Sequence, residues 1–202
     1  MKKTTLLTIL FLAGISLIAQ NKNFMIEVSI GDAPAGAKYV FGNRAEGIND
    51  TITLKKEGEK VKYSHAISTP MTMQVAYIAS GEKRAKTGLN LYVEAGNTIK
   101  INGSVNTFAQ SSLSGGIYDN AVIEKIRTQE ALQAKYYADY RKAMGEKNDA
   151  AAKEASDAYD AVDETITTLE YEYVKQNPAS VYSAVLLSHN LRGDINVIEP
   201  LY

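Results

Sequence analysis

Hydrophobic positions recur at every second residue from Asn23 to about Val105, then at every third or fourth residue after Gly116. The first period suits half-buried strands, the second amphipathic helices. Phe24, Ile26, Val28 and Ile30 alternate with polar neighbours, so a strand is predicted there. GDAPAG at Gly31–Gly36 is turn chemistry, a short strand covers Tyr39 to Phe41, and GNRAEGIND follows as a loop. Thr51 to Leu54 is extended. Glu57, Gly58 and Glu59 predict a hairpin turn, and Val61, Tyr63, His65 and Ile67 alternate beyond it. Pro70 breaks that run. Met71, Met73, Val75 and Tyr77 alternate again, then Leu89, Leu91 and Val93, then a tight turn at Ala95-Gly96-Asn97, then Ile99 and Ile101. Short strands at this spacing, joined by Gly and Asn turns, predict an antiparallel β-sandwich or a partly closed barrel.

After Gly116 the residues are good helix formers. Leu132, Tyr136, Tyr140 and Ala143 fall on one stripe of a helix over Ala121 to Met144. Gly145 to Asn148 is a loop, with Asn148 or Asp149 as N-cap of a second helix from Ala150 to about Gln176. There Ala155, Ala158, Val162, Ile166, Leu169 and Tyr173 make a near-heptad stripe. A short connection between two long amphipathic helices predicts an antiparallel hairpin. A third, short helix is expected in QNPASVYSAVLLSHNL, with Asn177 as N-cap, Pro178 at the first helical position, Val181, Val185 and Leu186 on its apolar face, and Gly193 as its stop. Glu199-Pro200 looks like the start of one more helix. A chain that ends as an element begins is expected to be truncated before a further domain.

Composition narrows the chemistry. The 202 residues carry a net charge of −1, which argues against a nucleic-acid partner. There is no cysteine, so disulfides, thiolate catalysis and cysteine-ligated zinc are excluded within the chain. Lys2 and Lys3 precede the apolar run LLTILFLAGISLIA, Leu6 to Ala19, too short for a comfortable membrane span. Residues 1–19 are therefore expected to be a signal peptide, cleaved after Ala19. No later segment is apolar enough to form a transmembrane helix, so export to the periplasm or cell envelope is expected.

Candidate catalytic groups are few. His65 lies on an alternating strand without a second histidine at ligand spacing, and a partly buried, hydrogen-bonded role outweighs a metal. His189 sits late in the third helix, where a cation is favoured by the helix C-terminus. Asp160 and Glu164 share a helix face, and Glu170 and Glu172 flank Tyr171; a solvated face is the expectation for such carboxylates. SGGIYDN at Ser114–Asn120 has two glycines before a helix but lacks the nucleotide-binding spacings, so a flexible sheet-to-helix joint is expected. Thirteen tyrosines, including the pair Tyr136 and Tyr137, hint at an interface. No catalytic, cofactor-binding or metal residue is assigned, no cofactor is expected, and the chain is read as not an enzyme.

The order of these features resembles a known arrangement. An exported β-rich module, LYVEAGNTIKINGSVN at Leu91–Asn106, a long helical hairpin and KQNPASVYSAVLLSHNL at Lys175–Leu191 are similar to the N-terminal region of thioredoxin-like thiol:disulfide interchange proteins of Bacteroidota (TlpA/AhpC-TSA type). In those proteins the β module is the domain of unknown function 4369. A thioredoxin fold with a CxxC motif typically follows. This chain has neither, so the family's redox residues map onto nothing in it. The resemblance implies a non-catalytic accessory or interaction module that positions a redox domain, binds a substrate protein or mediates dimerisation.

The expected organisation is α+β: a signal peptide at 1–19, an antiparallel β domain at 20–115, and a helical region at 116–202 comprising the hairpin and a third short helix. The expected partner is a protein, or the missing C-terminal thioredoxin-like domain, with homo-oligomerisation left open. The alternative is a free-standing periplasmic or envelope binding protein for a peptide, glycan or other envelope component.

Overall fold

The computed structural model describes residues 22–189, with Lys22 and His189 described by backbone alone. The signal peptide at 1–19, the Gly193 stop and the helix start at Glu199-Pro200 lie outside the described residues, as does the side chain of His189. The fold is α+β, and the chain divides after Gly116 into two compact units, 1–116 and 117–202.

The described residues of the first unit form eight strands: β1 Lys22–Ile30, β2 Lys38–Asn43, β3 Ile48–Thr53, β4 Val61–Ile67, β5 Met71–Ile78, β6 Thr87–Val93, β7 Thr98–Gly103 and β8 Ser112–Ser114. They form two open four-stranded sheets, ordered β4-β1-β7-β8 and β3-β2-β5-β6, neither closed into a barrel. One ladder departs from the antiparallel expectation: β1 pairs parallel with β7, Ile26 opposite Ile99 and Val28 opposite Ile101. On its other side β1 pairs antiparallel with β4, Ile26 opposite Tyr63 and Val28 opposite Val61.

Two turn signals join strands of different sheets, so the hairpin expected at Glu57-Gly58-Glu59 does not form. The segment around Glu57-Gly58-Glu59 links β3 to β4, and Ala95-Gly96-Asn97 links β6 to β7; each carries the chain from one sheet to the other. Turn residues specify a change of direction, whereas the strand partner is set by which face must be buried. The first link is pinned by the Gly58 N–H donating to the Ala33 carbonyl at 2.9 Å. The second is pinned by the Gly96 N–H donating to Asn23 and the Met25 N–H donating to Asn97.

The alternating residues of β1 (Phe24, Ile26, Val28, Ile30) are all fully buried, because β1 is an interior strand of its sheet. Tyr39 and Phe41 of β2, Met73 of β5 and Leu91 of β6 are equally buried in the other sheet. Full burial of each such side chain is worth about 1.5–3 kcal/mol. The short helical turn Val105–Gln110 contributes Phe108, whose ring stacks on Tyr39 at 6.0 Å and lies 5.8 Å from Tyr77. Asp32 ties this turn down: its carboxylate accepts from Ser104 Oγ at 2.6 Å and from the Val105 N–H at 3.0 Å. Those donors favour the charged form and hold the Asp32 pKa below its usual value.

The second unit contains α1 Ala121–Gly145, α2 Asp149–Gln176 and α3 Val181–His189. Asn120 caps α1, accepting from the Val122 N–H at 2.9 Å. Asn148 caps α2, accepting from the Ala151 N–H at 3.1 Å. Gly145, placed by its identity in the connecting loop, is the last residue of α1, and Lys147 takes the left-handed conformation at φ 56°. The N–H groups of Lys147 and Asn148 donate to the carbonyls of Met144 and Ala143, the two bonds of a Schellman stop.

Asn177 does not begin α3. It ends α2, its N–H and its Nδ2 both donating to the Tyr173 carbonyl at 2.9 Å. Ser180 performs the capping instead: its Oγ accepts from the Tyr182 N–H at 3.2 Å, and its carbonyl from the Ala184 N–H. Two good cap residues three positions apart compete, and the one adjacent to the apolar run wins.

The core of this unit gathers Val122, Ile123 and Ile126 from α1, Val162, Ile166, Tyr173 and Val174 from α2, and Leu186 from α3. The α2 stripe follows the predicted spacing. The α1 stripe does so in part: Tyr136 packs on the core and Ala143 is buried, but Leu132 is 36% exposed and the other buried positions lie in the first turns. Glu170, expected on a solvated face, lies on the core side of α2 and is buried.

Candidate functional site

In α1 the neighbours Tyr136 and Tyr137 point to different sides, because adjacent helical residues are about 100° apart. Tyr136 packs against the core, with the Lys135 ammonium 5.1 Å from its ring centroid. Tyr137 is 54% exposed. Tyr140, three residues on, lies on the same face. Opposite them α2 presents Ser156, Tyr159 and Asp160 at matching helical spacing.

The Tyr137 and Tyr159 rings meet with centroids 6.4 Å apart and planes inclined at 56°. Together with Tyr140, Ser156 and Asp160 they line a shallow hollow of about 310 Å³. Ser156 is small, and its size leaves the space that the three rings surround. The hollow offers aromatic faces, phenol hydroxyls and one carboxylate. Such a surface takes an aliphatic or cationic side chain, the cation drawn to the ring faces and to Asp160.

The predicted carboxylate pair is solvated. Asp160 and Glu164 are both exposed, and of the two Asp160 lines the hollow. Asp163 is engaged across the hairpin, accepting from Gln133 Nε2 at 2.8 Å. Glu172 accepts from Gln176 Nε2 at 3.0 Å.

Tyr182 of α3 lies in edge contact with Tyr173, ring centroids 5.5 Å apart. Burial pushes its phenol pKa above the usual range, and the neighbouring phenol of Tyr118 and carboxylates of Glu130 and Glu170 add to the rise.

In the first unit His65 is half-buried on β4, but ring packing holds it where a hydrogen bond was expected. Its ring is stacked 6.4 Å from Tyr63 and tilted 6.4 Å from Phe24. Tyr63 in turn donates to Asp50 Oδ2 at 2.8 Å. Burial, then this hydrogen bond, then the Asp50 charge raise the Tyr63 pKa. The glycines of SGGIYDN serve packing: a Cβ on Gly115, at φ +91°, would run into the Thr98 carbonyl. Among the described residues no group of His, Cys, Asp or Glu is arranged to hold a metal ion, and no helix is long and apolar enough to cross a membrane.

Residue-by-residue reading singled out Tyr137 but missed Tyr159, because the offset of one helix along the other is not encoded in either helix alone. No protein-family model matches the chain, and no curated protein matches it.

Proposed function

We propose that this chain is a non-catalytic interaction module, working outside the cytoplasm beside a thioredoxin-like thiol:disulfide oxidoreductase, and that it docks its protein partner through the helical hairpin. The pair of exposed Tyr137 and half-buried Tyr159, lining one hollow, carries this reading. Tyrosines contribute a large area at little entropic cost and are over-represented among the residues that dominate binding energy. The arrangement of β module, hairpin and short helix supports the resemblance drawn from the sequence. With no thiol in the chain, electron transfer belongs to the partner.

The test is a calorimetric titration of the chain with a purified thioredoxin-like oxidoreductase from the same organism. Binding is expected, and Tyr137→Ser with Tyr159→Ser should weaken it by about 1,000-fold, the worth of two hot-spot side chains at about 2 kcal/mol each. Binding that ignores the double substitution would overturn the docking face, and turnover of a dithiol probe by the chain alone would overturn the non-catalytic reading.

A further inference from the structure

The sheet β3-β2-β5-β6 carries a groove of about 560 Å³ on the face away from Tyr39, Phe41, Met73 and Leu91. Its floor is one row of the pleat. Asn49, Gly42, Gln74 and Asn90 stand opposite one another on four successive strands. Thr72 and Arg44 border the row.

Gly42 is the informative position. A glycine inside a strand weakens it, and usually marks a bulge, a crowded backbone or the close approach of a ligand. There is no bulge: β2 pairs one to one with β3 from Lys38 to Asn43, and with β5 from Lys38 to Gly42. There is no crowding: a Cβ on Gly42 would meet only the Ile48 carbonyl, at an ordinary 3.7 Å. Gly88 in the same sheet differs, since its Cβ would press on the Val75 carbonyl at 3.1 Å. Packing therefore accounts for Gly88 and leaves Gly42 to something that lies on it.

The surrounding side chains are held or available. Asn43 is committed to structure: its Nδ2 donates to the Thr72 carbonyl at 2.9 Å, and its Oδ1 accepts from the Glu46 N–H at 3.0 Å. That brace fixes the turn bearing Arg44. The amides of Asn49, Gln74 and Asn90 take part in no hydrogen bond among the described residues. Each offers two donors and an acceptor.

We infer that the groove binds a short neutral oligosaccharide, the ring face of one sugar lying on Gly42 and its hydroxyls paired with the three amides. The lining holds one cation and no carboxylate. A phosphate-bearing ligand would need more cations. A peptide adding as a strand would pair along an outer edge, β3 or β6, whereas the groove lies across the face of all four strands, with Gly42 and Gln74 on the interior strands β2 and β5. A hydroxyl-rich neutral ligand matches groups that both donate and accept. This inference concerns the first unit and is independent of the hairpin reading.

The test is an amide-detected NMR titration of the full chain with maltotriose, cellotriose, mannotriose and triacetylchitotriose at millimolar concentration. At least one should shift the side-chain amides of Asn49, Gln74 and Asn90 saturably. Gly42→Val should weaken that sugar by about tenfold or more with the fold retained. Gly42→Ala and Gln74→Ala, both on the exposed face, give the same reading if the valine fails to fold. Silence of the three amides with all four sugars, equal binding by the substituted chains, or an equal response to trialanine would overturn the inference.

Discussion

Phe41 and Tyr63 lie face to face, ring centroids 4.3 Å apart and planes within 6°, one ring from each sheet of the first unit. The contact is a rivet between the two layers. Tyr63 extends it by donating to Asp50 on β3, so a single residue of β4 contacts both strands of the β2–β3 hairpin in the opposite sheet.

Tyr63→Phe keeps the stacked ring and loses the hydrogen bond, and should cost about 0.5–1.5 kcal/mol. Tyr63→Ala opens a cavity and should cost about 3–5 kcal/mol. Urea unfolding of both variants checks this. Equal losses would mean that the ring contributes nothing beyond its hydroxyl.

Alkaline pH should loosen the same unit. Burial raises the phenol pKa of Tyr39 and Tyr63 above the usual value of 10.0. The folded state therefore holds protons that the unfolded state releases. This stabilisation is complete below pH about 10 and is lost as pH rises toward the folded-state value, by up to about 1.4 kcal/mol per pH unit for each tyrosine. Stability measured by denaturant at a series of alkaline pH values should fall less steeply in Tyr63→Phe than in the parent chain.

The turn between α1 and α2 stores removable strain. Lys147 adopts φ 56°, where glycine is the usual occupant of a Schellman stop. Lys147→Gly should raise stability by up to about 1 kcal/mol, within the 1–2 kcal/mol that the left-handed conformation costs other residues. A lower thermal midpoint in the variant would refute this.

The helical core should be asymmetric along α1. Ile126→Ala, 4% exposed in the parent, should cost about 2–5 kcal/mol, whereas Leu132→Ala should cost under about 1 kcal/mol. Ser180→Ala should cost about 1 kcal/mol through the lost cap and speed hydrogen exchange at the Tyr182 amide.

These contrasts trace what local pattern can encode. The alternation from Phe24 to Ile30 was legible because an interior strand with one buried face repeats every two residues. The α2 stripe was legible for the same reason at its own period. The partners of β4 and β7 were not, since Gly58 and Gly96 announce a change of direction without saying to which sheet the chain returns. Leu132 misled because spacing along one helix does not fix which side turns to the partner: Leu132 is 36% exposed although the next residue, Gln133, bonds across the hairpin to Asp163. The tyrosine hollow and the amide row depend on helix offset and strand register, so Tyr159 joins Tyr137, and Asn49 joins Gln74 and Asn90, only once the fold is assembled.

The parallel pairing of β1 with β7 has a consequence for the order of events in synthesis. The first strand of the unit is flanked by β4 on one side and by β7 on the other, the latter among the last strands of the unit to be made. Its second edge cannot be paired until the ribosome has delivered Ile99 and Ile101. Contacts so distant along the chain slow the search for the native pairing. Until then β1 is a hydrophobic ribbon with one margin bare, and the polar residues alternating along it, among them Glu27 with its Lys62 partner, are what keep that waiting strand from joining a neighbour's.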